Sequence, residues 1–249
     1  MTPAQLSQAV LRSARDLGLA GVPERAQLRP RGERGWGTGI ALRLAGAAGV
    51  PAVEVARGLR ERLADAVGVR DVEVDGRGFL TIRLGEEADA ALLREILDRP
   101  RPAALPEDPA RDAARWVAAA GGNDALAQRD ENPLFRVRYA HARSRALLRG
   151  GRALGLTPEP GAAPFAHPRE RALLAALGEQ ALGEEVWSVR RLVLIADAFL
   201  EVERARSALP VGDEKPGAAH RARLALAQAA GAVLAGGLHR LGISAPDHM

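Results

Sequence analysis

The stretch from Asn132 to Arg149 constrains the fold of this chain more than any other part of its sequence. Its letters are NPLFRVRYAHARSRALLR. Asn132 and Pro133 together signal a helix start, because an Asn side chain accepts hydrogen bonds from unpaired N–H groups and Pro has no N–H to leave unpaired. Gly150 and Gly151 follow as a natural stop. We therefore predict a helix from Asn132 toward Gly150.

The predicted helix has an apolar side and a basic side. With a period of about 3.6 residues, one side carries Val137, Ala140, Ser144, Leu147 and Leu148, and another carries Arg138, Arg145, Arg149 and Arg152. No Asp or Glu occurs between Asn132 and Pro158, so these arginines have no neutralising partner within the stretch. Such a row of guanidinium groups is suited to binding phosphates, and an ordinary solvated helix face is the alternative interpretation.

The composition excludes several classes of protein. The chain has no cysteine, which excludes disulfides and thiolate metal sites and fits a reducing compartment. No apolar run approaches the roughly 18 residues of a membrane span, and residues 1–20 lack the apolar segment of a signal peptide. We expect a soluble, cytoplasmic protein with no membrane partner.

The distribution of charge is more informative than its total. Lys215 is the only lysine, so 34 of the 35 basic residues are arginine, and a coding bias toward arginine weakens the high isoelectric point as evidence for nucleic acid. Residues 1–85 carry 13 basic and 9 acidic side chains, residues 86–131 carry 6 and 11, and residues 132–249 carry 16 and 11. Two basic regions therefore flank an acidic connector.

The pattern of apolar residues predicts an α+β, mostly helical fold. Residues 1–85 form a small α/β domain, residues 86–109 an acidic helix and a proline-rich linker, and residues 110–249 an α-helical bundle. In the first domain we predict helices Pro3–Leu17, Ile40–Ala48 and Pro51–Val67, and strands Gln27–Arg31, Val69–Val74 and Phe79–Leu84. Beyond it we predict helices Glu86–Asp98, Arg169–Leu177, Glu184–Ser207 and Arg221–Leu241.

Three motifs in the predicted bundle resemble the anticodon-binding domain of arginyl-tRNA synthetases. The pattern N-P-x-F/Y-x-V-x-Y-A-H-A-R, which opens that domain, is matched by Asn132, Pro133, Phe135, Val137, Tyr139, Ala140, His141, Ala142 and Arg143. Residues 112–116 resemble the Asp-Ala-Leu-Arg (DALR) motif that gives the domain its name, with Ala114 in place of Leu. Residues 237–249 resemble the family's closing G-L-x-L-L-G-I-x-A-P-E-R-M, with Asp247-His248 in place of Glu-Arg.

The first domain resembles the additional N-terminal domain of the same family, which in those enzymes reaches the D-loop corner of the tRNA. The matching residues are Gly35, Trp36, Thr38, Ala41, Leu42, Leu44, Ala45 and residues 76–84. The family's Gly-Asp-Tyr-Ala-Thr-Asn is replaced by residues 34–39, Arg-Gly-Trp-Gly-Thr-Gly, which lack the Asp and the Asn.

The resemblance does not extend to the catalytic parts of the family. In the synthetases a long Rossmann-type catalytic domain lies between the two matched ends, where this chain has a few dozen residues. The family's His-x-Gly-His signature is absent, because the five histidines are followed by Ala, Pro, Arg, Arg and Met. One lysine cannot supply a Lys-Met-Ser-Lys-Ser loop. We therefore expect no enzyme activity, no cofactor and no metal site, and we expect His141 to hydrogen-bond within the bundle.

The resemblance implies a non-catalytic tRNA-binding protein, with tRNA-Arg as a candidate partner. Arg136, Arg138, Arg143, Arg145 and Arg149 are the residues predicted to hold an RNA backbone. Tyr139 and Trp36 are predicted to stack on bases, and Arg240 and Met249 to lie near the anticodon loop. Two alternatives stay open: a protein–protein interaction module that uses surface left by the missing catalytic domain, and the tRNA-binding subunit of a split arginine–tRNA ligase.

Overall fold

The computed structural model describes residues 1–100, 103–121, 126–182 and 188–249. These residues form two compact units, Met1–Leu92 and Leu93–Met249. Helices predominate in the described residues, and a small antiparallel sheet lies in the first unit. The predicted α+β, mostly helical fold class is confirmed. No helix in these ranges is long and apolar enough to cross a membrane.

The first unit combines helices with a four-stranded antiparallel sheet. Its elements are α1 (Pro3–Asp16), β1 (Arg29–Pro30), β2 (Gly35–Thr38), α2 (Ile40–Ala48), α3 (Ala52–Ala64), β3 (Val69–Val74) and β4 (Leu80–Leu84). The strands lie in the order β1-β2-β4-β3. The predicted bounds of α2 and β3 are confirmed, whereas the predicted extension of α3 to Val67 is wrong.

Strand β2 lies in a glycine-rich stretch that gave no strand signal in the sequence. A Cβ atom on Gly35 would lie 2.0 Å from the carbonyl oxygen of Arg31, and one on Gly37 would lie 2.8 Å from the ring of Phe79. Glycine is therefore required at both positions because a neighbouring carbonyl or ring lies where a side chain would be, and not because the segment is a loop. Between them, Trp36 pairs with Ile82 of β4 and is 5% exposed.

The second unit is helical. Helix α4 (Ala88–Asp98) crosses the boundary between the units and is followed by α5 (Pro109–Ala120), α6 (Pro133–Ala153), α7 (Pro168–Leu182), α8 (Val189–Ala205) and α9 (Ala218–Arg240). Helix α6 packs against α8 and α9, and α7 packs against α8. The predicted helix start at Glu184 lies outside the described residues.

The start of α6 is as predicted, and its end is not. The Asn132 side chain accepts a hydrogen bond from the N–H of Leu134 at 3.0 Å and caps the helix. The helix does not stop at Gly150 but continues to Ala153. Cβ atoms on Gly150 and Gly151 would each lie 2.7 Å from a methyl carbon of a leucine, Leu209 and Leu224 respectively. These glycines permit close packing, and the helix ends before Gly155, whose φ is +69°.

Helices α6 and α9 pack closely where Ser144 meets Gly231. Ser144 is fully buried, and its hydroxyl donates to the carbonyl of His141 at 2.7 Å. A Cβ atom on Gly231 would lie 2.1 Å from the Ser144 Oγ and 3.1 Å from its Cβ. Since both atoms belong to a buried, hydrogen-bonded side chain, a larger residue at position 231 must push the helices apart.

Replacing Gly231 with alanine should destabilise the protein by about 1–3 kcal/mol, because the added methyl group overpacks the α6–α9 contact. Urea denaturation measures this difference. Gly236→Ala is the matched control in the same helix, since no atom lies within 4 Å of the added Cβ, and its higher helix propensity should leave stability unchanged or slightly raised. Equal stability of the two variants would contradict the proposed contact.

Candidate nucleic-acid interface on α6

The arginines of α6 lie on two separate sides of the helix. At about 100° per residue, Arg136 and Arg143 fall on one side, and Arg138, Arg145 and Arg149 fall on another. The first pair faces α8, and the second group faces α5 and the closing segment of the chain, residues 244–249. The five arginines predicted to hold an RNA backbone therefore do not form one row.

On the α8 side, each arginine pairs with a carboxylate of α8. Arg136 forms an ion pair with Asp197, and the Arg143 Nε donates to Glu203 at 2.9 Å. This hydrogen bond, donated to the Glu203 carboxylate, raises the pKa of the Arg143 guanidinium. Because the two pairs occur in the same order along both helices, α6 and α8 run parallel. These arginine side chains remain 35% and 40% exposed.

Two aromatic rings lie between the two groups of arginines on α6. Phe135 and Tyr139, one helical turn apart, stack with 5.7 Å between ring centroids and an interplanar angle of 15°. Both residues are partly exposed. Tyr139 lies one turn before Arg143 and interacts with its guanidinium group, and an aromatic ring beside a guanidinium is a combination that proteins use to hold unpaired bases and their phosphates.

On the other side, the closing segment lies along α6. The Nε and Nη2 of Arg145 donate to the two carboxylate oxygens of Asp247 at 2.9 and 3.2 Å. Arg149 donates to the main-chain carbonyl of Asp247 at 3.1 Å, and its Nη2 lies 3.3 Å from the Nδ1 of His248. Arg138 is nearly buried, with its Nη2 3.4 Å from the hydroxyl of Ser244.

Asp112 anchors the closing segment to α5. Its carboxylate is fully buried and accepts hydrogen bonds from the N–H of Ser244 at 3.1 Å, from the Ser244 hydroxyl, and from the Nη2 of Arg111 at 2.9 Å. The Nη2 of Arg138 lies 3.9 Å from the same carboxylate. The Asp of the sequence motif at residues 112–116 is thus a buried structural anchor, and it holds α5, α6 and the closing segment together.

His141 provides a second anchor. It is buried, and its Nδ1 lies 2.9 Å from the carbonyl oxygen of Pro246. Burial lowers the pKa of His141 even though the Pro246 carbonyl favours the charged form, so the neutral ring donates through its Nδ1–H. The prediction that His141 hydrogen-bonds within the bundle is confirmed. A cavity of about 250 Å³ lies beside this anchor and is lined in part by Gln228 and His239.

No acid lies between Asn132 and Pro158, but acids from other parts of the chain neutralise most of the α6 arginines. These acids are Asp112 on α5, Asp197 and Glu203 on α8, and Asp247 in the closing segment. On α8, Asp197 and Glu203 are about two turns apart, as are the arginines they meet on α6. Nothing in the sequence indicated which distant acids would meet α6.

The remaining predicted site residues are placed as follows. Trp36 is buried in β2, so no ring face is available for a base, and the prediction that it stacks on RNA is corrected. Arg240, the last residue of α9, is exposed, and Met249 is 52% exposed. In the described ranges, no group of three metal-binding side chains converges.

Replacing Asp112 with alanine should lower the free energy of unfolding by about 2–4 kcal/mol, because Ser244 and Arg138 would lose the buried carboxylate that satisfies them. The amides of residues 244–249 should also exchange with solvent faster. Denaturation with urea and hydrogen exchange measure the two effects. Asp213→Ala, at an exposed loop position, is the control and should change neither; unchanged protection of the closing segment in Asp112→Ala would refute the anchor.

Comparison with known proteins finds a family model that matches part of this chain. Residues 137–249 match the family model described as the DALR anticodon binding domain. The match begins inside α6 and includes the closing segment, whereas α5 with its Asp112 lies before it.

Individual relatives are much longer than this chain. The chain is 41% identical to the arginine–tRNA ligase of Frankia alni over 133 residues, which cover 49% of this chain and 24% of that ligase. It is also similar to the arginyl-tRNA synthetase of Thermus thermophilus, with 25% identity and a TM-score of 0.42, over 67% of this chain and 33% of the other. Residues 137–249 therefore form a DALR anticodon-binding domain, and this C-terminal region of the chain is homologous to arginyl-tRNA synthetases.

Proposed function

We propose that this chain is a cytoplasmic tRNA-binding protein that has no aminoacylation activity of its own. The single observation that carries the proposal is the match of residues 137–249 to an anticodon-binding domain, which takes in most of α6 and the whole closing segment. Both sides of α6 described above lie within or directly beside the matched residues.

The part of α6 that carries Phe135, Tyr139 and Arg143 is suited to the anticodon, where bases are unpaired. Tyr139 and Phe135 supply partly exposed ring surface for stacking, and every base has a face that can stack. Arg136 and Arg143 are paired with acids, but a guanidinium has five N–H donors, and two of them suffice for a carboxylate. The remaining donors can reach a phosphate next to a stacked base.

The other side of α6 is suited to the sugar–phosphate backbone. Arg149 is exposed and is held by a carbonyl and a histidine nitrogen rather than by a carboxylate. Its charge is therefore less compensated than that of Arg136 or Arg143. Phosphate contacts of this kind supply affinity and respond strongly to salt, whereas selectivity among RNAs depends on the bases.

The tRNA-binding subunit of a split arginine–tRNA ligase is the second candidate. The observation that favours it is the 41% identity to the Frankia arginine–tRNA ligase, a match that covers 24% of that ligase. A catalytic chain that co-purifies with this protein and restores aminoacylation would establish this alternative.

The purified chain alone should give no arginine-dependent exchange of pyrophosphate into ATP. The reason is chemical: the His-x-Gly-His signature is absent, and Lys215 is the only lysine, so neither ATP-binding motif of a class I synthetase can be assembled. An authentic arginyl-tRNA synthetase serves as the positive control. Exchange above the background without protein would overturn the non-catalytic part of the proposal.

Binding of tRNA-Arg should be measurable at low salt and should weaken steeply as salt is added, because arginine–phosphate contacts release counterions. A titration by fluorescence anisotropy at several salt concentrations measures this, with an unrelated tRNA as competitor. Arg149→Ala should weaken binding several-fold and lower the salt slope by roughly the value of one contact.

Arg190→Ala is the matched control for that titration. Arg190 is an exposed arginine near the start of α8, and because α6 and α8 run parallel it lies toward the opposite end of the bundle from Arg149. It should leave the affinity within about twofold. Absence of any tRNA binding at low salt would reject the proposed function, and equal losses in the two variants would reject the assignment to α6.

A further inference from the structure

The contact between Arg145 and Asp247 has the geometry of a phosphate complex. Two nitrogens of one guanidinium donate in parallel to two oxygens of one carboxylate, at 2.9 and 3.2 Å. Carboxylate and phosphate offer a guanidinium the same pair of oxygen acceptors. One turn further along α6, Arg149 donates to the main-chain carbonyl of Asp247. The closing segment thus presents three oxygen atoms to two neighbouring arginines.

This contact differs in its exposure from the Arg138–Asp112 ion pair that lies beside the closing segment. The side chains of Arg145 and Asp247 are 38% and 50% exposed, whereas those of Arg138 and Asp112 are 14% and 0% exposed. Exposed pairs stabilise a fold little and exchange readily with other ions, and buried pairs do not. The Arg145–Asp247 pair is therefore suited to being opened.

The anchors of the closing segment limit which residues would move. Ser244 is held by the buried carboxylate of Asp112, and the Pro246 carbonyl is held by His141. Beyond Pro246, Asp247, His248 and Met249 are all exposed. The last three residues can leave α6 while the segment stays attached to the bundle through residues 244 and 246.

We infer that Arg145 and Arg149 form a phosphate site on α6 that Asp247 occupies in the free chain, and that an RNA phosphodiester displaces the carboxylate from it. The inference rests on the proposed function, since the ligand is RNA. Beyond the proposed function, the inference states that the Asp247 carboxylate competes with RNA phosphate for Arg145. The hydrogen bonds that Asp247 gives up on displacement are replaced by those of two phosphate oxygens, so the arginines are never left unpaired.

Asp247 is fit for this role chemically. Although its partial burial raises the pKa of this carboxyl, the hydrogen bond and charge of Arg145 outweigh that effect and hold the pKa below the ordinary value. The carboxylate is therefore charged near neutral pH and competes as an anion. Its removal would leave the Arg145 guanidinium open to RNA without disturbing a buried group.

The test is a tRNA titration of the full chain and its variants at several salt concentrations. Asp247→Asn keeps the shape of the side chain and removes its charge, so it should bind tRNA about 3- to 10-fold more tightly and show a steeper salt slope by up to about one contact. Asp247 is exposed, so the variant should fold normally, and circular dichroism checks this.

Two further variants test whether the gain in tRNA affinity of Asp247→Asn comes from loss of competition at Arg145 or from the change in net charge alone. Glu201→Gln removes one carboxylate from exposed pairs with Arg169 and Arg204 on α7 and α8, and it should change the affinity by less than about twofold. In an Arg145→Ala background, Asp247→Asn should give no gain, because the site it unmasks no longer exists.

The outcomes distinguish this inference from the proposed function. If wild-type protein binds tRNA and Asp247→Asn binds equally well, or if Glu201→Gln gives the same gain, the self-occupied site is wrong and tRNA binding stands. If the gain persists in the Arg145→Ala background, Asp247 acts elsewhere and the inference is overturned. If neither wild type nor Asp247→Asn binds tRNA at low salt, both proposals fail together.

Discussion

The second unit depends on one buried charge. The Asp112 carboxylate has no contact with solvent, and an isolated carboxylate in such a place would be strongly unfavourable unless hydrogen bonds and positive charge surrounded it. Ser244 supplies two donors, and Arg111 and Arg138 supply the charge. Because these groups come from α5, α6 and the closing segment, satisfying the carboxylate fixes all three in one arrangement.

This anchor determines what α6 can present to a ligand. With Ser244 held by Asp112 and Pro246 held by His141, the chain beyond residue 246 begins beside the Arg145–Arg149 side of the helix, and Asp247 contacts both arginines. The opposite side is defined by α8, whose carboxylates meet Arg136 and Arg143. One helix therefore carries two chemically different surfaces, one paired with acids of α8 and one covered by the exposed closing residues.

Local signals in the sequence were sufficient for most helices and for β3, but not for β2 or for the contacts between elements. Asn132 predicted the start of α6 because capping depends on the next few residues alone. Gly150 and Gly151 misled because a helix stop and a close helix contact both favour glycine, and only the positions of Leu209 and Leu224 decide between them. In the same way, Trp36 was predicted to stack on a base because its sequence neighbours do not show that it is buried. Its burial depends on the pairing of β2 with β4.

The acids that meet α6 escaped prediction for a physical reason that bears on function. Charge compensation acts through space over a few ångströms, so the absence of acids between Asn132 and Pro158 says nothing about Asp197, Glu203 or Asp247. In a chain where 34 of 35 basic residues are arginine, uncompensated guanidinium groups would bind any polyanion. Pairing arginines with acids, as at Arg136, Arg143 and Arg145, weakens such non-specific binding, since a phosphate must then displace a carboxylate or share its arginine. A ligand recovers the binding free energy lost in this way only if it makes further contacts, such as a base stacked on Tyr139. Charge compensation therefore favours selective binding over non-specific electrostatic attraction.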